Sequence, residues 1–482
     1  MTPVISPAAV ASPPSVPSSL GQAHPPFDLA GLMASADAPI DLMDRHINPA
    51  MVRVLRVLGY DADYVRGEAQ YLYDAQGQRY LDCVGGFGTF ACGRNHPTIR
   101  DAVKQAMDLD LPNLPKFGVP RLSGLLAQQL LEIAPGELDK VYFSNSGTES
   151  VETAMKYARA ATGRNRLIFC SKAYHGLTLG ALSINGGTEF RDGFGKLLED
   201  VTKVPFNDLP ALEKELALGD VAGFIVEPIQ GKGVAIPSDD YLPEAARLCK
   251  KHGALFVADE VQTGFGRTGK MFACEHWGVE PDILACSKAL SGGHVPVGAV
   301  LSKEWVHRKV FTGMDKCMVH STTFTGNDLA MAAGLATLHV LRSERLVENA
   351  HAMGERLIAG LRALQPRYEM LKEVRGKGMM IAVEFGEPRS LRLKPGWALL
   401  HRLDESLFPQ AVLIPLIKEH RILAQVAGHH QDVIKLLPPL VITPSDVDHL
   451  IAAFDDTIGA CHKFPGPAWE IAKQLGQFVL KR

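Results

Sequence analysis

The sequence predicts an α/β protein, with a large, doubly wound domain built on a mainly parallel sheet and a smaller α+β domain beside it. Three features point there. Between about residues 125 and 300, short apolar runs at 140–144, 166–170, 223–227, 254–259 and 282–286 alternate with helical patterns. Runs without polar alternation suit strands buried on both faces, a setting that crossover helices provide. Upstream, residues 71–82 alternate around a turn at 74–77 and read as a β-hairpin. Downstream of about Ser343, a periodic helix leads into strand-like segments at 376–384 and 433–441, which join the hairpin in the smaller domain.

These features divide the chain into a tail (1–40), the first part of the small domain (41–115), the large domain (116–343) and the rest of the small domain (344–482). The tail is rich in Pro, Ser and Ala, carries no Lys or Arg before Arg45, and reads as disordered. It has neither the basic and apolar regions of a secretory signal nor the arginines of a mitochondrial presequence. No stretch approaches the roughly eighteen continuous apolar residues of a membrane span. A cytoplasmic location is expected, and no internal repeat is visible.

Hydrophobic residues make up 46% of the 482 and charged residues 21%, as in an ordinary globular catalyst. Fifty basic against 53 acidic side chains leave a net charge of -3, which offers no broad positive field to nucleic acid or an anionic membrane. Small-molecule partners are favoured. The eight cysteines are scattered, with no CxxC pair and no metal-ligand spacing, and read as buried thiols in a reducing compartment. His429 and His430 are adjacent, but neighbouring side chains rarely converge on one ion, so no metal is expected.

Chemistry concentrates at the ends of the predicted strands. After Ser144, a helix is expected from Ser146, with Ser146 and Glu149 at capping-box spacing, Val151, Met155 and Ala158 on one face, and Gly163 as terminator. With Gly147 allowing close backbone approach and Thr148 adding a hydroxyl, that helix start can hold a phosphate; an ordinary capped helix reads the same. Asp259 ends a strand where α/β proteins bind ligands, and either caps a helix or pairs with a protonated pyridine nitrogen. Lys288 follows the strand at 282–286 and precedes Ser291, Gly292 and Gly293. A lysine so placed can have its pKa lowered and act as a nucleophile toward carbonyls. Tyr174 and His175 offer flat rings that either stack on a heteroaromatic ligand or simply pack.

The segment from Leu255 to Gly269 (LFVADEVQTGFGRTG), followed by Pro281 to Leu290 (PDILACSKAL), puts Asp259 and Lys288 29 positions apart. Here the sequence resembles the class III aminotransferases, the ornithine, 4-aminobutyrate and ω-amine group of fold-type I pyridoxal 5′-phosphate enzymes, from about Tyr64 to Phe454. The resemblance implies that Lys288 holds the cofactor as a Schiff base and Asp259 pairs with its pyridine nitrogen. Gln262 would meet the phenolic oxygen, Val261 would pack beneath the ring, Tyr174 would stack above it, His175 would belong to the cofactor site, and Ser146, Gly147 and Thr148 would hold the phosphate. Glu227 would stand behind Gln262. Thr323 would reach the phosphate of a neighbouring subunit, implying a homodimer with shared active sites, an amine donor and an oxo acceptor.

Two departures bear on substrate. Many relatives carry a glutamate and an arginine that switch between substrates; here Lys232 and Lys435 fall in those regions, and two lysines form no such pair. Lys435 still offers a carboxylate a point charge, without the fork that makes arginine selective, and Arg421 is another cation for that task. Phe87 falls where relatives place an aromatic at the pocket entrance. The expected reaction is transamination of a primary ω-amine, diamine or amino acid with a 2-oxo acid or aldehyde. An aminomutase, racemase or decarboxylase on the same fold is the alternative. A non-catalytic member would have lost Lys288, Asp259 or Gln262, and a nucleotide-binding enzyme would carry a GxGxxG or Walker loop.

Overall fold

In a computed structural model, which describes residues 26–114, 118–403, 407–428 and 431–463 together with Gly466 and Trp469, residues 1–53 and 54–482 form two separate compact units. In the first unit, the expected tail falls partly outside the described residues. Inside them it is helical at Leu29–Ala34, where the Asp28 carboxylate accepts the Gly31 N–H at 2.9 Å, and again from Pro39 in Pro39–His46. An acidic N-cap and a proline at the first helical position are helix-start signals that bulk composition hides.

The second unit begins with β1 (Tyr64–Glu68), β2 (Tyr71–Asp74) and β3 (Arg79–Asp82), an antiparallel meander. The expected turn at 74–77 is held by Asp74, whose Oδ1 accepts the N–H groups of Gln76 and Gln78, while Gly77 takes φ 77. The large sheet follows: β4 (Lys140–Ser144), β5 (Arg166–Cys170), β6 (Val201–Val204), β7 (Val221–Val226), β8 (Leu255–Asp259), β9 (Ile283–Cys286) and β10 (Gly298–Ser302), in the order β4-β10-β9-β8-β7-β5-β6. Only β10 runs against its neighbours, β4 and β9. Every residue of β7, β8 and β9 is buried, as expected for strands covered on both faces.

The third sheet contains β11 (Leu371–Lys377), β12 (Met380–Phe385), β14 (Gln425–Val426) and β15 (Val433–Leu436), all antiparallel. The strand-like stretch at 376–384 is thus a hairpin rather than one strand: Gly378, at φ 52, turns the chain between β11 and β12. The stretch at 433–441 stops pairing after Leu436, since Pro438 and Pro439 have no N–H to donate. Short β13 (Ile422–Leu423) pairs parallel to β3 and ties the N-terminal meander to the C-terminal part of the unit. Seven of the eight free cysteines are buried as expected, but Cys317 is exposed. His429 and His430 lie outside the described residues. No helix among the described residues is long and apolar enough to cross a membrane.

Candidate active site

Because β4 and β9 both oppose β10, they point the same way, together with β5, β7 and β8. Their carboxyl ends share one edge of the sheet, where doubly wound folds bind ligands. The residues that follow these ends line a cavity of about 760 Å³.

After β4 the chain enters the helix Gly147–Thr162. Ser146 is its N-cap, with Oγ accepting the Glu149 N–H at 3.3 Å, whereas the Glu149 carboxylate takes the Asn145 N–H at 2.7 Å; the expected capping box is only half formed. Val151, Met155 and Ala158 are buried, and Gly163 ends the helix at φ 68. Glycine is required at 147 because a Cβ there would stand 2.6 Å from Val261 Cγ1. At Gly176, with φ 129, a Cβ would overlap Thr148.

After β5 come Tyr174 and His175. The Tyr174 ring meets Phe190 edge-on, centroids 5.5 Å apart, and both line the cavity. His175 turns its Nδ1 toward Asp259, 2.7 Å from Oδ2. Burial alone would lower the His175 pKa, but the hydrogen bond and charge of Asp259 prevail and hold it above the ordinary imidazole value. Asp259, at the end of β8, is 4% exposed, and its Oδ1 accepts the Val261 N–H at 3.0 Å. Glu227, just past β7, accepts N–H groups from Tyr174 at 2.8 Å and Gly231 at 2.7 Å, and burial raises its pKa.

Lys288 opens the short turn Lys288–Ser291 after β9 at φ 38, a left-handed conformation that costs a non-glycine residue on the order of 1–3 kcal/mol. Burial depresses its pKa, with Asp259 and Glu227 pulling the other way. Its amine has no hydrogen-bond partner among the described residues. Lys435, on β15, is 6% exposed and donates to the Gly231 carbonyl at 2.8 Å; its Nζ is 3.4 Å from Gln262 Oε1. Burial and the nearby Lys288 hold the Lys435 pKa down to about 8. The Gln262 amide donates to the Phe87 carbonyl at 3.1 Å, and Phe87 lines the cavity at φ 58 with 57% of its surface exposed.

Of the residues expected from sequence, Phe87, Gly147, Thr148, Tyr174, His175, Glu227, Asp259, Val261, Gln262, Lys288 and Lys435 line this one cavity. Ser146 and Thr323 do not: the first is occupied as a cap, and the second lies exposed beside Thr322, whose Oγ1 accepts from Asn145 Nδ2 at 2.8 Å. Arg421 is not at the cavity either, since it bonds Gln78 Oε1 and the Lys418 carbonyl. Sequence reasoning missed Leu177, Phe190, Gln410 and the segment 425–428 as wall residues, and it missed the partner of Lys232, which is Glu189. None of these carries a local pattern that separates it from packing.

The profile of the class-III aminotransferases matches residues 56–458. Aminotransferase PigE of Serratia sp. (strain ATCC 39006) is 35% identical over 458 residues, covering 88% of this chain and 54% of that protein, so the chain spans about half the length of this curated relative. A transaminase from the marine bacterium Virgibacillus superimposes with a TM-score of 0.79 at 28% identity, covering 90% of this chain and 99% of its own. Ornithine aminotransferase from Toxoplasma gondii ME49 gives 0.74 at 29%, covering 83% and 91%. An amine transaminase from an uncultivated Pseudomonas species, solved with pyridoxal 5′-phosphate bound, gives 0.73 at 30%, covering 83% and 95%. On the extent of these matches, the chain belongs to the class-III aminotransferase family, fold-type I enzymes that depend on pyridoxal 5′-phosphate.

Proposed function

We propose that the protein catalyses pyridoxal 5′-phosphate-dependent transamination, taking the amino group of a primary ω-amine or diamine and passing it to an oxo acid or aldehyde. What carries the reading is the meeting, in one cavity, of a lysine amine with depressed proton affinity and a buried carboxylate fixed by a histidine, Lys288 and Asp259. The residues present fit the cofactor on two grounds. The Lys288 amine faces Asp259 and Glu227 without a hydrogen bond among the described residues, and Gly147 and Gly176 keep bare the backbone around Thr148 where a phosphate would rest.

When bound, the cofactor supplies an aldehyde for covalent capture of amines and a protonated ring that accepts the electron pair of a broken C–H bond. Lys288 would hold it covalently and, once displaced by the substrate amine, serve as the base that moves the proton. Asp259, steadied by His175 and the Val261 N–H, would keep the pyridine nitrogen protonated by setting a fixed negative charge against it. Val261 and Tyr174 would bracket the ring, Gln262 would meet the phenolic oxygen with Glu227 behind it, and the start of the helix Gly147–Thr162 would receive the phosphate at its positive end. Thr323, exposed in a single copy, would complete the phosphate site of a second copy, making a homodimer in the cytoplasm.

The wall favours an apolar chain. Phe87, Tyr174, Leu177, Phe190 and Val426 line it, while Lys232 is paired with Glu189 and Lys435 is bonded to a carbonyl. A lysine also lacks the fork that grips an α-carboxylate. Half-reactions of the cofactor-loaded protein with alkylamines, diamines, ω-amino acids and α-amino acids, followed by absorbance, test this. Alkylamines and diamines should react fastest; a clear preference for glutamate that survives Lys435→Ala would contradict it. Stoichiometric consumption of the acceptor separates transamination from aminomutase, racemase or decarboxylase chemistry.

A further inference from the structure

Two carboxamides on the cavity wall have no part in the chemistry above. Gln410 comes from the helix Leu407–Lys418 and Gln425 from β14, against which that helix packs; both line the cavity. Gln410 interrupts an otherwise hydrocarbon surface, since every other residue from Leu407 to Ile417 is apolar and buried. Gln425 lies directly opposite Lys435 in the β14–β15 ladder, so the two side chains share one face of the sheet. Among the described residues neither glutamine side chain finds a hydrogen-bond partner, and the Nε2 of Gln425 is buried. The last torsion of a glutamine is broad, so a turn about it carries that N–H toward the cavity without strain.

A carboxamide is neutral and offers both donors and an acceptor. Once a chain fills the cavity and excludes water, a donor that faces only hydrocarbon is left without any partner. A site with such donors therefore discriminates against a plain hydrocarbon chain and in favour of one that carries an oxygen at the matching depth. A carboxylate suits them less well. It would surrender its hydration to neutral groups, because Lys435 is engaged by the Gly231 carbonyl and Lys232 by Glu189.

We propose that Gln410 and Gln425 form a polar subsite for one uncharged oxygen, whether ether, hydroxyl or carbonyl, borne on the chain of the substrate amine. The inference rests on the transaminase reading for the amine at the cofactor and deepens it by naming the substrate class: an aliphatic amine whose chain carries a neutral hydrogen-bond acceptor. Gln425 donates its N–H to that oxygen, and Gln410, set in an apolar helix, supplies the second contact. Both residues set specificity; neither touches the bonds that change.

The probes are hexylamine, its three isosteres in which one inner methylene is replaced by an ether oxygen at successive positions, and the ω-amino acid of matching length as the charged control. Each is used as its N,N-dimethyl form, a tertiary amine that the cofactor cannot capture covalently. Ligand-observed NMR gives their dissociation constants for the cofactor-loaded wild type, Gln410→Leu and Gln425→Leu. At one ether position, the ether-to-hexyl affinity ratio should fall about three- to tenfold in each variant, the effect of losing one neutral hydrogen bond. The hexyl form should bind more tightly to both variants than to the wild type. Opposite shifts of ether and hexyl forms cannot come from general loosening of the fold and would support the subsite. A ratio unchanged in either variant at every position, or a larger loss for the ω-amino acid than for any ether, would overturn it. Conversion of the cofactor by the corresponding primary amines, measured in parallel on the wild type, reports separately on transamination. If it proceeds while the ratios stay equal, only the subsite is lost; if it fails while the ratios shift, only the transaminase reading is lost.

Discussion

Gly147→Ala probes the fit between the start of the helix Gly147–Thr162 and the residue expected beneath the cofactor ring. The new Cβ would lie 2.6 Å from Val261 Cγ1, 3.3 Å from Cγ2 and 3.5 Å from Cβ. Non-bonded carbons rest about 3.5–4.0 Å apart, so close to an ångström of overlap must be relieved by moving the helix start or Val261. Overfilling a packed site costs about 1–3 kcal/mol, and alanine returns at most about 1 kcal/mol of helix propensity over glycine. A net cost of about 1–2 kcal/mol, falling on the groups that would hold phosphate and ring, corresponds to roughly 5- to 30-fold weaker cofactor binding. The cofactor dissociation constant, from quenching of protein fluorescence, reads this directly. In the double variant Gly147→Ala/Val261→Ala the overlap disappears, so the two losses should couple favourably by about 1 kcal/mol. Wild-type affinity in Gly147→Ala, or a double variant worse than the sum of the singles, would refute the packing argument.

Asp259→Asn should bind cofactor yet transaminate at least about a hundredfold more slowly, the scale on which a preorganised charge partner acts; near-normal turnover in the folded variant would remove Asp259 from its role. Arg267 is fully buried, donates to the Met379 and Pro438 carbonyls, and is held by burial at a pKa of about 10. Arg267→Met should therefore lower unfolding stability by about 2–4 kcal/mol by stranding two carbonyls, with an unchanged denaturation midpoint the contrary result. Lys435, whose folded pKa of about 8 lies below its ordinary 10.5, binds fewer protons in the folded chain than in the unfolded one between those values. Stability should accordingly rise as pH climbs from about 8 toward 10.5, and Lys435→Met should flatten that rise when the two proteins' midpoints are compared pH by pH. A homodimer with shared sites should lose activity on dilution as it dissociates, whereas full activity of a monomer would exclude sharing.

Much of this architecture could be read from the chain before its coordinates. The strands that deliver Asp259 and Lys288 are continuous apolar runs followed by their polar residue, a pattern produced by burial on both faces. β10 escaped notice because Gly298–Ser302 follows a Gly- and Pro-bearing stretch that reads as loop; only pairing with β4 and β9 makes it a strand. β6, four residues at the edge of the sheet, carries too short a pattern to register. The helix at 29–34 was hidden by averaging over a Pro- and Ser-rich stretch.

The site divides in the same way. Residues next to strand ends were legible because the sheet edge gathers them. His175 reads from sequence as a ring that stacks or packs, since nothing local reveals that its Nδ1 reaches Asp259, 84 positions along the chain. Glu189 and the 425–428 segment reach the cavity only through tertiary packing, so the partner of Lys232 was invisible to spacing arguments.

The most direct test follows the cofactor itself. Cofactor-loaded wild type and Lys288→Ala would be incubated with an alkylamine and no acceptor, then denatured, and the released cofactor and amine product identified by mass spectrometry. The wild type should yield pyridoxamine 5′-phosphate and the matching aldehyde in equal amounts, and Lys288→Ala, with its fold intact, should yield neither at a comparable rate. Unchanged pyridoxal 5′-phosphate from the wild type across the amine panel, or equal conversion by Lys288→Ala, would contradict the assignment of this cavity and its lysine to transamination.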